Sequence, residues 1–230
     1  AAHGTVVVGA LQEAGLAACG KHFPGHGDLG VDSHVDLPVV GHSPERLRDV
    51  ELVPFRAAIA AGVAGIMTGH LLVPAYDEER PATLSGVLVQ RLLRDEMGFD
   101  GLVFTDDLDM KAVSARPAGG PAVVEAIGAG CDVALMCGAD CGAHAVALEA
   151  LVHAVERGEL RSTRIDESMV RQRRAKERFA TMPPQARATG RGRAMSSLNR
   201  EWRPLPAGQL RALLGCEEHQ AVAEEMRRHV

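Results

Sequence analysis

The sequence predicts an α/β fold built from repeated βα units around a parallel sheet. Two observations carry that expectation. Short apolar runs rich in β-branched residues alternate with longer amphipathic stretches over most of the 230-residue chain. Three of these runs end in polar, chemistry-bearing residues: Lys21 and His22, Thr68 and His70, Asp106 and Asp107. In parallel α/β folds ligands bind outside the carboxyl ends of the strands, where loops and helix N-termini converge, so these ends are expected to share one site.

In chain order, strands are expected over residues 16–23, 64–70, 101–107 and 131–137. A helix over 43–62 opens with Ser43 as its cap, Pro44 at the first helical position and Glu45 in the first turn, and it closes on Gly62. A second helix, 85–98, likewise runs from a serine to a glycine, and 121–129 and 143–157 supply two more. Residues 164–180 form a strongly charged helix whose apolar positions are Ile165, Met169, Val170 and Phe179. Residues 1–180 thus form the folded body. Residues 181–208 are rich in Pro, Gly and Arg without an apolar period and read as a linker or irregular arm. Residues 209–230 read as a short terminal helix.

Composition narrows the function classes. The chain is 46% hydrophobic and 24% charged with a formal net charge of -5, enough to bury a core and without the basic excess of a nucleic-acid binder. No apolar run approaches the roughly 20 residues that cross a bilayer, and the opening "AAHGTVVVGALQEAG" lacks the basic start of a signal peptide. No membrane association is expected. The five cysteines form no CxxC pair, and Cys19, Cys131 and Cys137 lie in or beside apolar runs; they read as reduced, mostly buried thiols, which favours the cytoplasm.

The loop "KHFPGHGDLGVDSH", residues 21–34, is too polar for a core and too rich in glycine for a helix. Three readings stand. His22, His26, Asp28, Asp32 and His34 all have metal-ligand chemistry, although their spacing matches no familiar signature and Lys21 would repel a cation. The glycines can instead serve turns, with histidines that satisfy backbone carbonyls. The third reading is acid/base catalysis. In an extended segment Asp32 and His34 face the same way, and an aspartate beside an imidazole stabilises its protonated form and fixes its tautomer. A proton donor of this kind needs an opposing group, and the carboxylates of "TDD" stand at a strand end able to hold one rigidly.

The motifs "KHFPGHGDLGVDSHVDLP", "IMTGHLLVPAYD", "PATLS", "LLRDEMGFDGLVFTDDLDM" and "RIDESMVR" occur in order from about residue 1 to about 180. In these stretches the chain resembles family 3 β-N-acetylglucosaminidases of the NagZ type. Several long motifs in register form a far more specific signal than one short pattern. The resemblance implies a (β/α)8 TIM-barrel type and exo-removal of terminal N-acetylglucosamine, typically from peptidoglycan fragments, with retention at the anomeric carbon. It assigns the nucleophile to Asp106, the acid/base to His34 with Asp32 as its partner, and sugar-hydroxyl contacts to Lys21 and His22. His70 is expected to line the pocket with them or to orient the neighbouring loop by a hydrogen bond. Asp107 is expected to cap the next helix, His26 to stabilise its loop, and Asp77, Thr83 and Ser85 to shape a turn and cap a helix. The implied ligand is a small amino-sugar or muropeptide, with no metal and no cofactor. Tyr76 is the sole tyrosine and aromatics total 3%, which suits a small exo-type pocket better than an extended stacking cleft.

A barrel of this kind needs eight βα units and typically about 250 residues. Only four strands are legible here, corresponding to the C-terminal half of the catalytic barrel. Half a barrel leaves two open sheet edges and an uncovered apolar face, through which the chain is expected to associate. Competing functions are a phosphorylase, in which phosphate replaces water in the second step, a metal-dependent hydrolase, and an inactive sugar-binding remnant.

Overall fold

The computed structural model describes residues 1–27, 37–114, 122–138 and 141–180. The expected arm at 181–208, the terminal helix at 209–230, and both Asp32 and His34 lie outside the described residues.

The described part is an α/β segment of the TIM-barrel type. Helix α1 (Ala2–Glu13) leads into strand β1 (Cys19–Phe23), and β2 (Gly65–Thr68), β5 (Leu102–Asp107) and β6 (Val133–Leu135) complete a four-stranded sheet. The strand order is β1-β2-β5-β6, parallel throughout, with Cys19 opposite Gly65, Gly65 opposite Leu102, and Phe104 opposite Val133. All four expected strands are present, each shortened by a few residues at its ends. A Cβ on Gly65 would lie 2.8 Å from the Phe104 ring, so glycine here lets that ring lie flat against β2.

The helix expected over 43–62 is broken into α2 (Pro44–Arg46), a π-helical stretch (Leu47–Glu51) and α3 (Val53–Ala60). Proline explains the interruption: Pro54 has no N–H, and its ring would clash with the carbonyl four residues back in a continuous α-helix. The chain widens by a residue instead, and the Leu52 N–H donates to the Leu47 carbonyl at 2.8 Å. The cap behaves as expected, with Ser43 Oγ accepting from the Arg46 N–H at 3.3 Å, and the stretch closes at Gly62, whose φ is +71°.

An antiparallel pair, β3 (Leu72–Val73) and β4 (Asp77–Pro81), follows β2 and was not expected from the sequence. Its second strand is the charged run "DEERP", most of it exposed, which carries no apolar alternation. Asp77 shapes the turn: one carboxylate oxygen accepts from the Glu79 and Arg80 N–H groups, the other from Ser85 Oγ. Ser85 in turn accepts from the Leu88 N–H and caps a π-helical stretch (Val87–Glu96) that buries Leu88, Val89, Leu92 and Leu93. After β5 come α4 (Lys111–Ser114) and α5 (Ala122–Ala129), and after β6 come α6 (Cys141–Glu156) and α7 (Ser162–Phe179).

Phe23, Leu47, Leu52, Phe55, Ile66, Leu88, Leu93 and Val103 form the centre of the core between sheet and helices. Each fully buried side chain of this size contributes roughly 1.5–3 kcal/mol of transfer free energy. The Phe23 and Phe55 rings meet edge to face at 5.3 Å.

At the amino end of the strands, Asp132 is buried within an ionic cluster. Its carboxylate accepts from Arg94, Arg164, Arg171, Ser168 and the Val103 N–H. This cluster corrects the expected face of α7. Met169 and Val170 are 50% and 54% exposed, while Arg164 and Ser168 are buried against Asp132; of the other expected apolar positions, Ile165 packs on Ile127, Ala154 and Leu160, and Phe179 is partly buried. The thiols also differ from expectation: Cys131 is buried, but Cys19 and Cys137 are exposed. No helix among the described residues is long and apolar enough to cross a membrane.

Candidate active site

The carboxyl ends of the four parallel strands lie side by side, and each delivers polar groups there. β1 brings Lys21, which is exposed, and His22, which is partly exposed. Cis peptide bonds join Lys21 to His22 and Phe23 to Pro24. The loop then turns at Gly25, where φ is +142° and an added Cβ would lie 2.9 Å from the Glu51 Cβ. Any other residue would be strained and would strike the π-helical stretch, so Gly25 of "PGHG" serves the turn here. His26 follows, its ring centroid 5.7 Å from that of His22.

β5 brings Asp106 and Asp107. His22 Nε2 is 3.8 Å from Asp106 Oδ2, although β2 lies between their strands. Gly69, just after β2, leaves room for the His22 side chain, since a Cβ there would sit 3.2 Å from the His22 Cβ. Asp106 Oδ1 accepts the Asp107 N–H at 2.9 Å, which fixes one carboxylate oxygen and turns the other toward His22.

The two adjacent carboxylates have different work. Asp107 Oδ1 accepts from the Asp109 N–H at 3.1 Å and from the Cys137 N–H at 3.0 Å, so it closes a turn and ties β5 to the segment after β6. Asp109 repeats the device by accepting from the Gly138 N–H at 2.8 Å. Asp107 was expected to cap the next helix; it caps the turn that leads there.

His70 departs from its expected place among the substrate contacts. Its ring is 0% exposed, and both nitrogens are engaged inside the protein. Nε2 donates to the Asp107 carbonyl at 2.8 Å, and Nδ1 lies 2.9 Å from Thr83 Oγ1. Burial pushes its pKa below the ordinary histidine value, against the opposing pull of the Asp107 carbonyl bond and of the Asp106 and Asp107 charges. The loop-orienting alternative describes it better: the ring has no edge left for a sugar. Thr68 and Thr83 are likewise fully buried and face each other at 2.9 Å. Thr83 was expected to shape a turn; it sits in the 3-10 turn Ala82–Leu84 and is buried there against Thr68 and His70.

A cavity of about 1010 Å³ opens beside β1, lined by Lys21, His22, His26, Arg46 and Glu51 together with apolar residues of α1 and α3. Arg46 pairs with Glu51 at 3.0 Å across this wall. Of the expected acid/base pair, Asp32 and His34, and of Asp28 from the metal reading, all three lie outside the described residues. Among the described residues no group of three or more His, Cys, Asp or Glu is arranged to hold a metal ion.

Comparison with known proteins gives a concordant result. Residues 1–175 match the family model described as the glycosyl hydrolase family 3 N terminal domain. A beta-hexosaminidase of Thiobacillus denitrificans is 47% identical over 138 residues, covering 58% of this chain and 37% of the relative. One from Stenotrophomonas maltophilia is 41% identical over 157 residues, covering 68% of this chain and 44% of the relative. Among solved structures, a family 3 beta-N-acetylglucosaminidase from Paenibacillus superposes with a TM-score of 0.74 at 48% identity, over 76% of this chain and 34% of that one. The chain spans between about a third and under a half of the length of these three relatives.

Proposed function

The chain belongs to glycosyl hydrolase family 3, and on that premise we propose that it supplies the catalytic half of a retaining exo-β-N-acetylglucosaminidase that removes terminal N-acetylglucosamine from peptidoglycan-derived fragments. The observation that carries the proposal is the approach of His22 to Asp106 at the carboxyl ends of β1 and β5, with Asp106 held by the Asp107 N–H.

The chemistry follows from that geometry. A nucleophilic carboxylate needs one oxygen anchored and the other free to reach carbon. Asp106 Oδ1 is anchored, and Oδ2, at 3.8 Å from His22, is beyond hydrogen-bond reach and open for attack. Oδ2 attacks the anomeric carbon while His34, steered by Asp32, protonates the departing glycosidic oxygen. The same imidazole then takes a proton from water, whose oxygen displaces Asp106 from the glycosyl-enzyme. Two inversions at one carbon give net retention. Lys21 and His22, both facing the cavity, hold sugar hydroxyls.

A cytoplasmic setting is part of the proposal and rests on the cysteine pattern, five cysteines without a CxxC pair. The terminal strands β1 and β6 have open edges among the described residues, where further βα units or a second copy of the chain would pair.

The test is hydrolysis of p-nitrophenyl N-acetyl-β-D-glucosaminide followed by proton NMR. Retention requires that the β-anomer of free N-acetylglucosamine appear first. First appearance of the α-anomer contradicts the nucleophile, and accumulation of sugar 1-phosphate only in phosphate buffer would make the enzyme a phosphorylase.

A further inference from the structure

Beneath the candidate nucleophile lies a buried chain of side-chain hydrogen bonds that the proposed reaction does not itself use. Thr68 Oγ1 is 2.9 Å from Thr83 Oγ1, Thr83 Oγ1 is 2.9 Å from His70 Nδ1, and His70 Nε2 is 2.8 Å from the Asp107 carbonyl. All three side chains are 0% exposed.

The contacts favour one order of protons along this chain. A carbonyl oxygen only accepts, so His70 Nε2 carries a proton, and in a neutral ring Nδ1 is then an acceptor whose donor is the Thr83 hydroxyl. Each hydroxyl has a second acceptor within reach, the Gly69 carbonyl at 3.1 Å from Thr83 Oγ1 and the Phe104 carbonyl at 3.3 Å from Thr68 Oγ1, but both contacts are longer than the 2.9 Å links that run from Thr68 to Thr83 to His70. Complete burial favours the neutral ring, in line with the downward push on its pKa.

The chain ends on a residue that matters. Asp107 gives its N–H to Asp106 Oδ1, while its own carboxylate is tied to Cys137 and Asp109. Asp107, whose N–H holds the candidate nucleophile, is therefore gripped at its carbonyl by His70 and the Met110 N–H, and at its carboxylate by the Cys137 N–H after β6 and the Asp109 N–H of its own turn.

We propose that His70, locked as its neutral Nε2–H tautomer by the Thr68–Thr83 hydroxyl pair, is a positioning residue that sets the Asp106 carboxylate through the Asp107 backbone. This rests on the reading of Asp106 as nucleophile. Misplacing a reacting group by about 1 Å can cost about a hundredfold in rate, so a buried anchor behind it has kinetic weight.

Two measurements on the whole chain test it. Long-range proton–nitrogen NMR of the histidine rings should show His70 as the Nε2–H tautomer at pH 7; an Nδ1–H ring or an imidazolium there overturns the proposal whether or not turnover is measurable. In the p-nitrophenyl glycoside assay, His70→Asn, whose amide reaches Thr83 but not Asp107, should lower kcat by about tenfold or more with KM within about twofold. His70→Gln, whose amide nitrogen reaches the Nε2 position, should recover kcat to within about threefold of wild type. Equal loss in the Gln and Asn variants, or loss confined to KM, overturns the positioning role. Asp106→Asn serves as the control: if it retains wild-type kcat, the nucleophile reading itself fails, whereas an inactive Asp106→Asn beside an unimpaired His70→Asn removes only the positioning role.

Discussion

His22 and Asp106 meet across an intervening strand: Nε2 of the first lies 3.8 Å from Oδ2 of the second. Gly69, just after that strand, carries no Cβ to crowd the His22 side chain. The carboxyl ends of a parallel sheet are where such convergence is cheapest, since the strands fan out there and their loops are free to differ.

Gly69→Ala should therefore damage the site more than its single methyl suggests. The new Cβ would lie 3.1 Å from Leu71 Cγ and 3.2 Å from the His22 Cβ, so one neighbour must shift. A loss of about 1–3 kcal/mol in urea denaturation is expected from overpacking. kcat/KM should fall by about tenfold as His22 moves from its place.

Asp132 offers a contrast, since its effect should be on stability alone. Its carboxylate is buried among Arg94, Arg164 and Arg171 at the amino end of the sheet, the end where barrel folds carry stability and not catalysis. Asp132→Ala leaves the buried Arg94 without its counter-charge and strips Arg164 and Arg171 of one of theirs, at about 3–5 kcal/mol. Urea midpoints report the loss, and kcat measured well below the midpoint should be unchanged.

Ser85→Ala tests the cap and turn together. Ser85 accepts from the Leu88 N–H and donates to Asp77, so its loss removes a helix cap and loosens the β4 turn. About 1 kcal/mol of destabilisation is expected from capping series. A thermal melt of the variant beside wild type measures it.

His70 should leave a signature in acid. Its folded-state pKa is depressed by burial below the ordinary 6.5, so above 6.5 both folded and unfolded chains hold it neutral and its contribution to stability is fully present. As pH falls below 6.5 the unfolded chain binds a proton that the folded chain refuses, and stability declines with a slope of up to about 1.4 kcal/mol per pH unit until the folded pKa is passed. His70→Gln should flatten the stability profile between pH 6.5 and the folded pKa, as read from urea midpoints in a pH series. Parallel wild-type and variant profiles would mean that the buried ring is already charged.

Much of this arrangement is legible in the sequence, for identifiable reasons. Parallel strands buried on both faces write themselves as short apolar runs, and "AGIMTGH", "GLVFTDD" and "CDVALMC" each contain one. Ser43, Gly62, Ser85 and Gly98 mark helix ends because capping and positive φ demand those residue types. Where burial is achieved by other means the pattern misleads. α7 docks largely through Arg164 and Ser168, which leaves Met169 and Val170 exposed, and β4 is a charged strand held by the Asp77 turn. His70 looked like a pocket residue because it is polar and ends a strand; only its two hydrogen bonds reveal that it faces inward. In the sequence the separate parts of Asp106 and Asp107 rest on the family resemblance and on the place of Asp107 before the next helix; the Cys137 contact that occupies Asp107 joins residues 30 apart in the chain and leaves no local signal.

Paired carboxylate variants assayed for p-nitrophenol release put the decisive question to the molecule. Asp106→Asn removes the one oxygen left open for attack, and the account requires its rate to drop to background. Asp107→Asn keeps an amide oxygen that can still accept from Asp109 and Cys137, and it should stay within about tenfold of wild type while melting earlier. The reverse ranking, an active Asp106→Asn beside a dead Asp107→Asn, would contradict the assignment of the nucleophile.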